Sequence, residues 1–255
     1  MGTVVSFDLR GGGDHAAAIA AAVAWFHEVD ARFSTYRADS EVRRLSRGDL
    51  ADDALSSDLV EVVTACDVIE AESGGAFTAH GADGFDPSAY VKGWSVQRAA
   101  RILRSFGCED WSVNTGGDVL VPSSPTAGAP WRIGVQHTFG PAALATVLEA
   151  RDLAVATSGR AARGDHIRDP RTCTPVTGVA ATTVCGPDLG LADAFATAAF
   201  VLGDAGPAWV AGLPGYECWT VLDDGRVLAT SGFPTVVHGV PVRTEAAGGP
   251  DGVAA

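Results

Sequence analysis

An aspartate and a threonine stand four residues apart in an otherwise apolar segment, LADAFATAAFVLG at 191–203. If this segment is a helix, Asp193 and Thr197 lie one turn apart on the same face. A carboxylate and a hydroxyl placed in this way can supply two oxygen ligands to a hard cation such as Mg²⁺, which often takes only one or two carboxylates. The competing interpretation is that Asp193 caps the helix and Thr197 packs inside it, and the spacing alone favours this one.

A second candidate site is the segment DPSAYVKGW at 86–94. Asp86 is followed by proline and starts a turn, while Lys92 and Gly93 stand just before a predicted helix. The N-terminus of a helix beside a lysine suits an anion, because its unpaired backbone N–H groups point at the ligand. An ordinary loop that caps this helix is the alternative.

The third candidate is the segment NTGGDV at 114–119. The adjacent glycines Gly116 and Gly117 let the backbone approach a ligand closely, because neither carries a side chain. A tight hairpin turn explains the pair equally well.

The fourth candidate is a basic stretch, ATSGRAARGDHIRDPRT at 156–172. Between 160 and 171 it carries a local charge of +2, from Arg160, Arg163, Arg168 and Arg171 against Asp165 and Asp169. With the hydroxyls of Thr157 and Ser158, such a stretch suits a phosphorylated ligand. His166 lies in its middle and is a candidate general base, because imidazole changes charge near neutral pH. A solvated loop with internal salt bridges is the competing interpretation.

The elements that must position these residues follow from hydrophobic periodicity. Helices are predicted over 15–33, 57–72, 94–106, 142–150 and 191–203. Gly107 is the predicted C-cap of the helix at 94–106. Strands are predicted over 3–9, 111–121 around the Gly-Gly turn, 131–137, 153–159, 179–186 and 216–233, the last a hairpin turning at Asp224-Gly225. Because the strands cluster rather than alternate strictly with helices, the order favours an α+β fold over a doubly wound sheet.

The composition limits the function classes. The chain has 255 residues, of which 47% are apolar and 19% charged, and a net charge of −13. That charge argues against binding to nucleic acid or anionic membranes, and the absence of an 18-residue apolar run argues against membrane insertion. Five widely spaced cysteines without a C-x-x-C pair favour free thiols. With an N-terminus that is typical of a strand rather than a signal peptide, they predict a cytoplasmic protein.

Six segments, taken together and in order, resemble the FAD:protein FMN transferase family, also called the ApbE family. They are MGT at 1–3, RFSTYRADSEV at 32–42, DPSAYVKG at 86–93, NTGGD at 114–118, ATSGRAARGDHIRDPRT at 156–172 and DAFAT at 193–197. The resemblance implies one ApbE-like domain over 1–242, with a division into two subdomains as an open alternative, followed by a loose tail at 243–255. It implies a T-fold-related α+β architecture in which mixed or antiparallel sheets pack with helices.

The resemblance also implies an activity. Family enzymes use Mg²⁺ and FAD, attach the FMN moiety to a threonine or serine of an acceptor flavoprotein through a phosphoester, and release AMP. Carried over by position, the metal ligands are Asp193 and Thr197 through their side chains and Ala89 through its carbonyl. The FAD contacts are Met1, Asp86, Lys92 and the backbone at Ile167, and Tyr36 with the Gly116-Gly117 turn shapes the flavin pocket. His166 matches the histidine that assists the acceptor hydroxyl.

The sequence departs from the family pattern at several places. Cys173 stands where the family has a glycine, and a cysteine is strained there if the position needs a positive φ. The loop between 76 and 86 is short, Ala196 replaces a second aspartate of some relatives, and the lipoprotein-type signal of many relatives is absent. Two alternatives stay open: an FAD pyrophosphatase that yields FMN and AMP, and a non-catalytic flavin-binding module. A pure carrier, however, needs neither a metal pair nor a base.

Overall fold

The computed structural model describes residues 2–51, 54–81, 84–122, 129–136, 144–160 and 167–234. The helices in these ranges are α1 (Ala16–Phe33), α2 (Glu41–Ser46), α3 (Ser57–Glu72), α4 (Ser88–Ser105), α5 (Leu189–Leu202) and α6 (Gly206–Val210). The longer strands are β1 (Val5–Arg10), β4 (Asp110–Thr115), β5 (Asp118–Val121), β6 (Trp131–Gln136), β7 (Leu144–Ala150), β8 (Leu153–Gly159), β11 (Val179–Gly186), β12 (Glu217–Leu222) and β13 (Val227–Ala229). Two-residue strands are β2 (His80–Gly81), β3 (Gly84–Phe85), β9 (Arg168–Asp169) and β10 (Thr174–Pro175).

Seven strands form one sheet in the order β1-β4-β5-β8-β11-β12-β13. Every neighbouring pair in it is antiparallel. At its centre Ala154 of β8 lies between Leu120 of β5 and Gly186 of β11. The predicted α+β class with sheets packed against helices is therefore confirmed, and the sheets are antiparallel.

The side chains of the sheet alternate between two faces, as the pleat of a strand requires. On one face Ala154 and Ala156 join a large core built with the helices. Helix α5 packs on β8, β11 and α4, and α4 in turn packs on α1. We call this the helix face.

The opposite face of the sheet is covered by a two-stranded ribbon, in which β6 pairs antiparallel with β7. Trp131, Ile133 and Leu148 of this ribbon are buried in a second cluster with Val119 and Val155 of the sheet. We call this the ribbon face. Each face therefore has its own apolar core, and the same strands contribute to both.

Two glycines bring helices α4 and α5 into backbone contact. A Cβ at Gly93 would lie 2.1 Å from the carbonyl oxygen of Leu189, and a Cβ at Gly190 would lie 3.1 Å from the backbone nitrogen of Trp94. Real side chains cannot occupy the first of these spaces, so only glycine permits this crossing. The close crossing brings Lys92, the residue before Gly93, within reach of Asp193.

Local sequence signals explain several helix boundaries. The hydroxyl of Ser56 accepts a hydrogen bond from the backbone N–H of Leu59 at 3.2 Å and so caps α3. Helix α3 covers the predicted residues 57–72, and Gly107 follows α4 with φ +78°, as predicted for a C-cap. The short helix α2 was not predicted, because its segment is strongly polar.

Two predicted helices differ from the structure. The segment 142–150 was predicted as a short helix, but strand β7 begins at Leu144. Its buried residues Thr146, Leu148 and Ala150 recur at every second position, the period of a strand. The helix predicted from 94 begins six residues earlier, at Ser88, whose backbone N–H donates to Asp86 at 3.0 Å.

One helical stretch, Leu189–Val210, is long and apolar enough to cross a membrane by length and composition, among the residues that the structure describes. Its apolar window is 67% buried in the fold. Packing of α5 against the sheet and against α4 accounts for this apolar composition, so the stretch is weak evidence for a membrane span.

Candidate functional site

The centre of the candidate site is a buried group of one ammonium and two carboxylates. The Nζ atom of Lys92 lies 2.5 Å from Asp118 Oδ2 and 3.3 Å from Asp193 Oδ1. The side chains of Asp118 and Asp193 are 1% and 5% exposed, whereas that of Lys92 is 26% exposed. We call these three residues the ion triad. Because its two carboxylates face one ammonium, the triad has an excess negative charge when all three groups are ionised.

Three different elements hold the ion triad. Lys92 comes from α4, Asp118 is the first residue of β5, and Asp193 lies in the second turn of α5. Asp118 is fixed further because its Oδ1 accepts a hydrogen bond from the backbone N–H of Thr157, on the neighbouring strand β8, at 3.1 Å. The triad therefore joins the two central helices to the middle of the sheet.

Burial and mutual charge shift the pKa values of the triad. Burial raises the pKa of Asp193; Lys92 opposes this shift and the charge of Asp118 adds to it. Burial likewise raises the pKa of Asp118, against the effect of Lys92. For Lys92 burial alone would lower the pKa, but Asp193 and Asp118 outweigh it and the pKa is raised. The Lys92 ammonium is therefore held in its charged form. Burial disfavours the ionised forms of the two carboxylates, and their pKa values are raised.

Asp193 does not cap α5. The cap is Asp188, whose Oδ1 accepts from the backbone N–H of Leu191 at 3.0 Å, and Asp193 lies one turn further inside. The hydroxyl of Thr197 donates to the carbonyl of Asp193 at 3.2 Å and lies 3.0 Å from Ser158 Oγ. The capping interpretation of Asp193 is therefore wrong, and its charge is left without that structural explanation.

Two buried carboxylate oxygens of the ion triad accept no hydrogen bond from the described residues, Asp118 Oδ2 and Asp193 Oδ2. The first is ion-paired with Lys92 Nζ at 2.5 Å, whereas the ion-pair distance from Lys92 to Asp193 is at the other oxygen, Oδ1. A buried carboxylate oxygen without a donor is costly and requires an explanation, such as an ion. The donor chemistry around it, one carboxylate with the hydroxyl of Thr197 one turn away, is the oxygen type that Mg²⁺ prefers.

A cation at this place would need ligands from outside the side chains. Within the described ranges no three His, Cys, Asp or Glu side chains are grouped to hold a metal. Ala89, predicted to contribute its carbonyl, lies in the first turn of α4 and is partly buried. The residues present fit Mg²⁺ in its usual protein form, with few protein ligands and the remaining positions filled by water and phosphate oxygens.

A cavity of about 500 Å³ lies on the ribbon face, near the same end of the sheet. Its walls include Gly116, Gly117, Trp131, Arg132 and Thr157. This volume is in the range of small-molecule sites, and its lining mixes apolar and polar groups as such sites do. The cavity and the ion triad are on opposite faces of the sheet.

The Gly116-Gly117 pair forms the turn between β4 and β5, as the hairpin interpretation predicted. Both residues have positive φ, +59° and +103°, and the side-chain oxygen of Asn114 accepts from Gly117 N at 3.1 Å. A Cβ at Gly116 would lie 2.6 Å from the hydroxyl oxygen of Thr3. The turn also lines the cavity, so both interpretations of the glycine pair have structural support.

Thr157 and Ser158 were predicted together but face opposite sides. The hydroxyl of Thr157 lies 2.8 Å from that of Thr183, on the cavity side, while Ser158 contacts Thr197 on the helix side. Neighbouring residues of a strand point to opposite faces. One of the two therefore borders the cavity, and the other borders the candidate cation site.

Other predicted residues lie in less constrained positions. Tyr36 is 96% exposed and does not line the cavity. Asp86 is exposed, and its Oδ1 accepts from the backbone N–H of Ser88 at 3.0 Å. The carbonyl of Ile167 accepts from Val176 N at 3.3 Å. Lys92 lies inside α4, so the prediction that it stands before a helix N-terminus is wrong.

The arginines of the basic stretch that the structure describes are paired within the protein. Arg160 forms a close ion pair with Asp223, Arg171 pairs with Asp169 at 2.8 Å, and Arg168 donates to the carbonyl of Cys173 at 3.0 Å. Only the Arg171–Asp169 pair is a salt bridge internal to the described part of the stretch, since Asp223 lies in the β12–β13 turn. Lys92 is likewise paired, but it lies beside the candidate cation site.

Met1, Arg163, Asp165 and His166, named in the sequence predictions, lie outside the described residues. At Cys173 the backbone has φ +58°, the left-handed conformation that the missing family glycine predicted. Cys173 closes the turn between β9 and β10, where its N–H donates to the carbonyl of Asp169 at 2.7 Å. A non-glycine residue in this conformation costs about 1–2 kcal/mol.

Asp118 is the site residue that sequence reasoning missed. It was quoted only as the end of the NTGGD segment, where the glycines explained the motif. The available signal was an aspartate at the start of an apolar run, DVLV, which is fully buried in the structure. A buried carboxylate needs a partner, but the sequence gives no means of choosing Lys92.

The family of the chain follows from its match to a family model. The model described as "ApbE family" matches residues 1–83 and 80–220, which is most of the chain. The chain belongs to the ApbE family. The resemblance inferred from the six segments is thereby confirmed.

Relatives and solved structures agree with this membership. Proteins named FAD:protein FMN transferase are similar in part: the one from Vibrio cholerae is 33% identical over 129 residues, 47% of this chain and 39% of that protein. The one from Rhodobacter capsulatus is 32% identical over 154 residues, 57% of this chain and 29% of that protein. The matches thus span well under half of these relatives' lengths.

The solved structure of the flavin transferase ApbE from Vibrio cholerae has a TM-score of 0.79 to this chain at 24% identity, covering 92% of this chain and 96% of that one. An ApbE protein structure from Thermotoga maritima has a TM-score of 0.73 at 23% identity, covering 88% and 91%. At these identities the likeness establishes the fold.

Proposed function

We propose that this protein is a Mg²⁺-dependent flavin transferase, which moves the FMN moiety of FAD to a threonine or serine hydroxyl of an acceptor protein and releases AMP. Membership of the ApbE family supports the reaction class. The observation that carries the proposal is the buried Oδ2 of Asp193, which accepts no hydrogen bond from the described residues and lies one helical turn from Thr197. The site has excess negative charge when its carboxylates are ionised, and such a site is suited to a cation.

The reaction places defined demands on the protein. The acceptor hydroxyl attacks the phosphorus of the FMN half, the bond from that phosphorus to the bridging oxygen breaks, and AMP leaves with the oxygen. Phosphoryl transfer of this kind depends mainly on positioning and charge stabilisation. Mg²⁺ held by Asp193, Thr197 and the carbonyl of Ala89 would neutralise negative charge on the pyrophosphate.

The protein's own groups have separate tasks in this proposal. Lys92, 26% exposed between its two carboxylates, would bind the pyrophosphate from the solvent side. His166 would take the proton of the attacking hydroxyl, a contribution of about 10²–10⁴ in rate. The cavity walled by Gly116, Gly117 and Thr157 would receive the flavin ring.

The test measures AMP release from FAD together with in-gel flavin fluorescence of an acceptor domain, with Mg²⁺ and with chelator. Asp193→Asn removes the carboxylate charge with little change in shape, and Asp224→Asn at the exposed β12–β13 turn is the matched control. We expect both signals in the wild type and the control, and neither with chelator or in Asp193→Asn. Metal-independent labelling, or full activity of Asp193→Asn, would contradict the cation site.

The same experiment separates the two alternatives. AMP release without labelling of any acceptor indicates an FAD pyrophosphatase. Tight FAD binding without AMP release indicates a flavin-binding module. For His166, His166→Ala should lower the turnover number at saturating FAD more than it raises the KM for FAD, and the reverse pattern would make His166 a binding residue.

A further inference from the structure

We propose that Asp118 is a positioning residue that holds the ammonium of Lys92 away from Asp193, so that the Asp193 carboxylate stays available to a divalent cation. The inference rests on the cation site of the proposed function and assigns a new residue to it. Asp118 itself would touch neither the metal nor the substrate.

The distances show which carboxylate binds the ammonium. Lys92 Nζ is 2.5 Å from Asp118 and 3.3 Å from Asp193. The closer partner is also the better fixed one, since Asp118 lies on a central strand and accepts the N–H of Thr157. Asp193 lies farther from the ammonium, with its ion-pair distance at Oδ1, and its buried Oδ2 accepts no hydrogen bond from the described residues.

Removal of the Asp118 charge changes this balance. Among the described residues, Asp193 is then the remaining carboxylate within ion-pair distance of Lys92. The ammonium is buried on most of its surface and cannot be left without a counter-charge at low cost. It will therefore move onto Asp193 and compete with a divalent cation for the same carboxylate.

The geometry also explains why Asp118 follows the Gly116-Gly117 turn. In the turn both glycines have positive φ, which closes the chain in two residues and starts β5 at Asp118. Asp118 and Leu120 then point to the helix face, while Val119 points to the ribbon face. A shift of one residue would turn the carboxylate away from Lys92.

The test is a double-mutant cycle read by Mn²⁺ binding in electron paramagnetic resonance, without FAD or acceptor. We compare the wild type, Asp118→Asn, Lys92→Met and the double variant, with Asp224→Asn as the control for loss of one surface charge. Asp118→Asn should weaken Mn²⁺ binding by about 10–100-fold, the usual effect of losing a residue that supports a metal ligand. In the Lys92→Met background the same substitution should change the affinity by less than about threefold, because no ammonium remains to be released.

The outcomes distinguish this inference from the proposed function. Absence of Mn²⁺ binding in the wild type would contradict the cation site itself. Wild-type binding with an equal loss from Asp118→Asn in both backgrounds would mean that Asp118 acts only through its charge, and the inference would be wrong. If Lys92→Met does not fold, a crystal structure of Asp118→Asn provides the test. Lys92 Nζ should then lie against the Asp193 carboxylate. If Lys92 Nζ still lies beside residue 118 instead, the inference is wrong.

Discussion

The two faces of the central sheet differ in how they use the same strands. On the helix face, α4 and α5 approach to backbone contact at Gly93, and the space between them holds the ion triad. On the ribbon face, β6 and β7 cover apolar residues but leave a cavity of about 500 Å³. Charge is thus buried where packing is tightest, and space for a ligand remains where packing is loosest. Burial of charge requires tight packing and a ligand site requires open space, so the two faces of one sheet can provide both near the same end.

The largest effect expected on the helix face is the loss of the triad's ammonium. Lys92→Met leaves Asp118 and Asp193 buried without a counter-charge, which should lower the free energy of unfolding by about 3–5 kcal/mol at neutral pH. Burial raises the pKa of both carboxylates, so the loss in the free energy of unfolding is present above their unfolded pKa values. The loss shrinks at lower pH, because both carboxylates then become protonated. It should be smaller at pH 5 than at pH 8 in urea unfolding.

A matched change on the ribbon face provides the control. Arg132 is exposed at the cavity wall, and Arg132→Met should alter the free energy of unfolding by no more than about 0.5 kcal/mol. Equal losses from the two substitutions would remove the distinction between the faces.

The next largest effect concerns the helix crossing. Gly93→Ala places a methyl group 2.1 Å from the Leu189 carbonyl oxygen, so α4 and α5 must separate. We expect a loss of about 1–3 kcal/mol in the free energy of unfolding and weaker Mn²⁺ binding, because the two helices carry the proposed ligands Ala89 and Asp193, which move apart. Gly12→Ala, where a Cβ meets open space, serves as the control. Unchanged unfolding of Gly93→Ala by urea would show that the crossing is looser than described.

Two buried cysteines test whether water is excluded equally from the two faces of the sheet. Cys185 belongs to the ribbon-face cluster and Cys218 to the helix-face core, and burial raises the pKa of each to about 12. The folded pKa lies above that of an unfolded thiol, so the unfolded state loses its proton first and stability falls as pH rises above about 8.5.

Each of these buried thiols should lower the free energy of unfolding by about 1–2 kcal/mol at pH 10 relative to pH 8. Cys185→Ala and Cys218→Ala should each flatten the decline seen in urea titrations at the two pH values. A flatter curve from Cys218→Ala alone would show that water reaches Cys185 through the ribbon face.

A smaller effect is expected outside both faces, at the β9–β10 turn. Cys173 has φ +58° and is exposed, so Cys173→Gly relieves the strained conformation. We expect a gain of about 1 kcal/mol, reduced by the greater freedom of glycine in the unfolded chain. Cys173→Ala keeps the strain and should show no gain in thermal unfolding; a loss on Cys173→Gly would mean that the turn carries no strain.

The smallest expected effect is the change in the free energy of unfolding when one methylene is removed from an isoleucine on each face of the sheet. Ile69 is 1% exposed in the helix-face core, while Ile133 is 7% exposed beside the cavity. Ile→Val costs about 0.5–1.5 kcal/mol in a packed core. Ile69→Val should fall near the upper end and Ile133→Val near the lower end in urea unfolding. The reverse order would place the tighter packing on the ribbon face.

The sequence by itself determined the local structure and the family. Helix α3, the Gly116-Gly117 turn and the hairpin at Asp224-Gly225 were predictable, because capping residues, glycines and periodicity act over a few neighbouring residues. The shared face of Asp193 and Thr197 followed from helix geometry alone. The family followed from six short motifs in a fixed order, which needs no three-dimensional information.

Only the tertiary structure decided which distant residues meet. Asp118 joins Lys92 because a glycine-mediated helix crossing and a strand register bring them together, and neither leaves a periodic signal in the sequence. The strand β7 was mistaken for a helix because burial beneath a sheet, not local propensity, selects its conformation. Likewise Arg160, Arg168 and Arg171 of the basic stretch are paired with Asp223, the carbonyl of Cys173 and Asp169, respectively. Charge balance between segments far apart in the chain depends on the folded distances, and local sequence does not contain them.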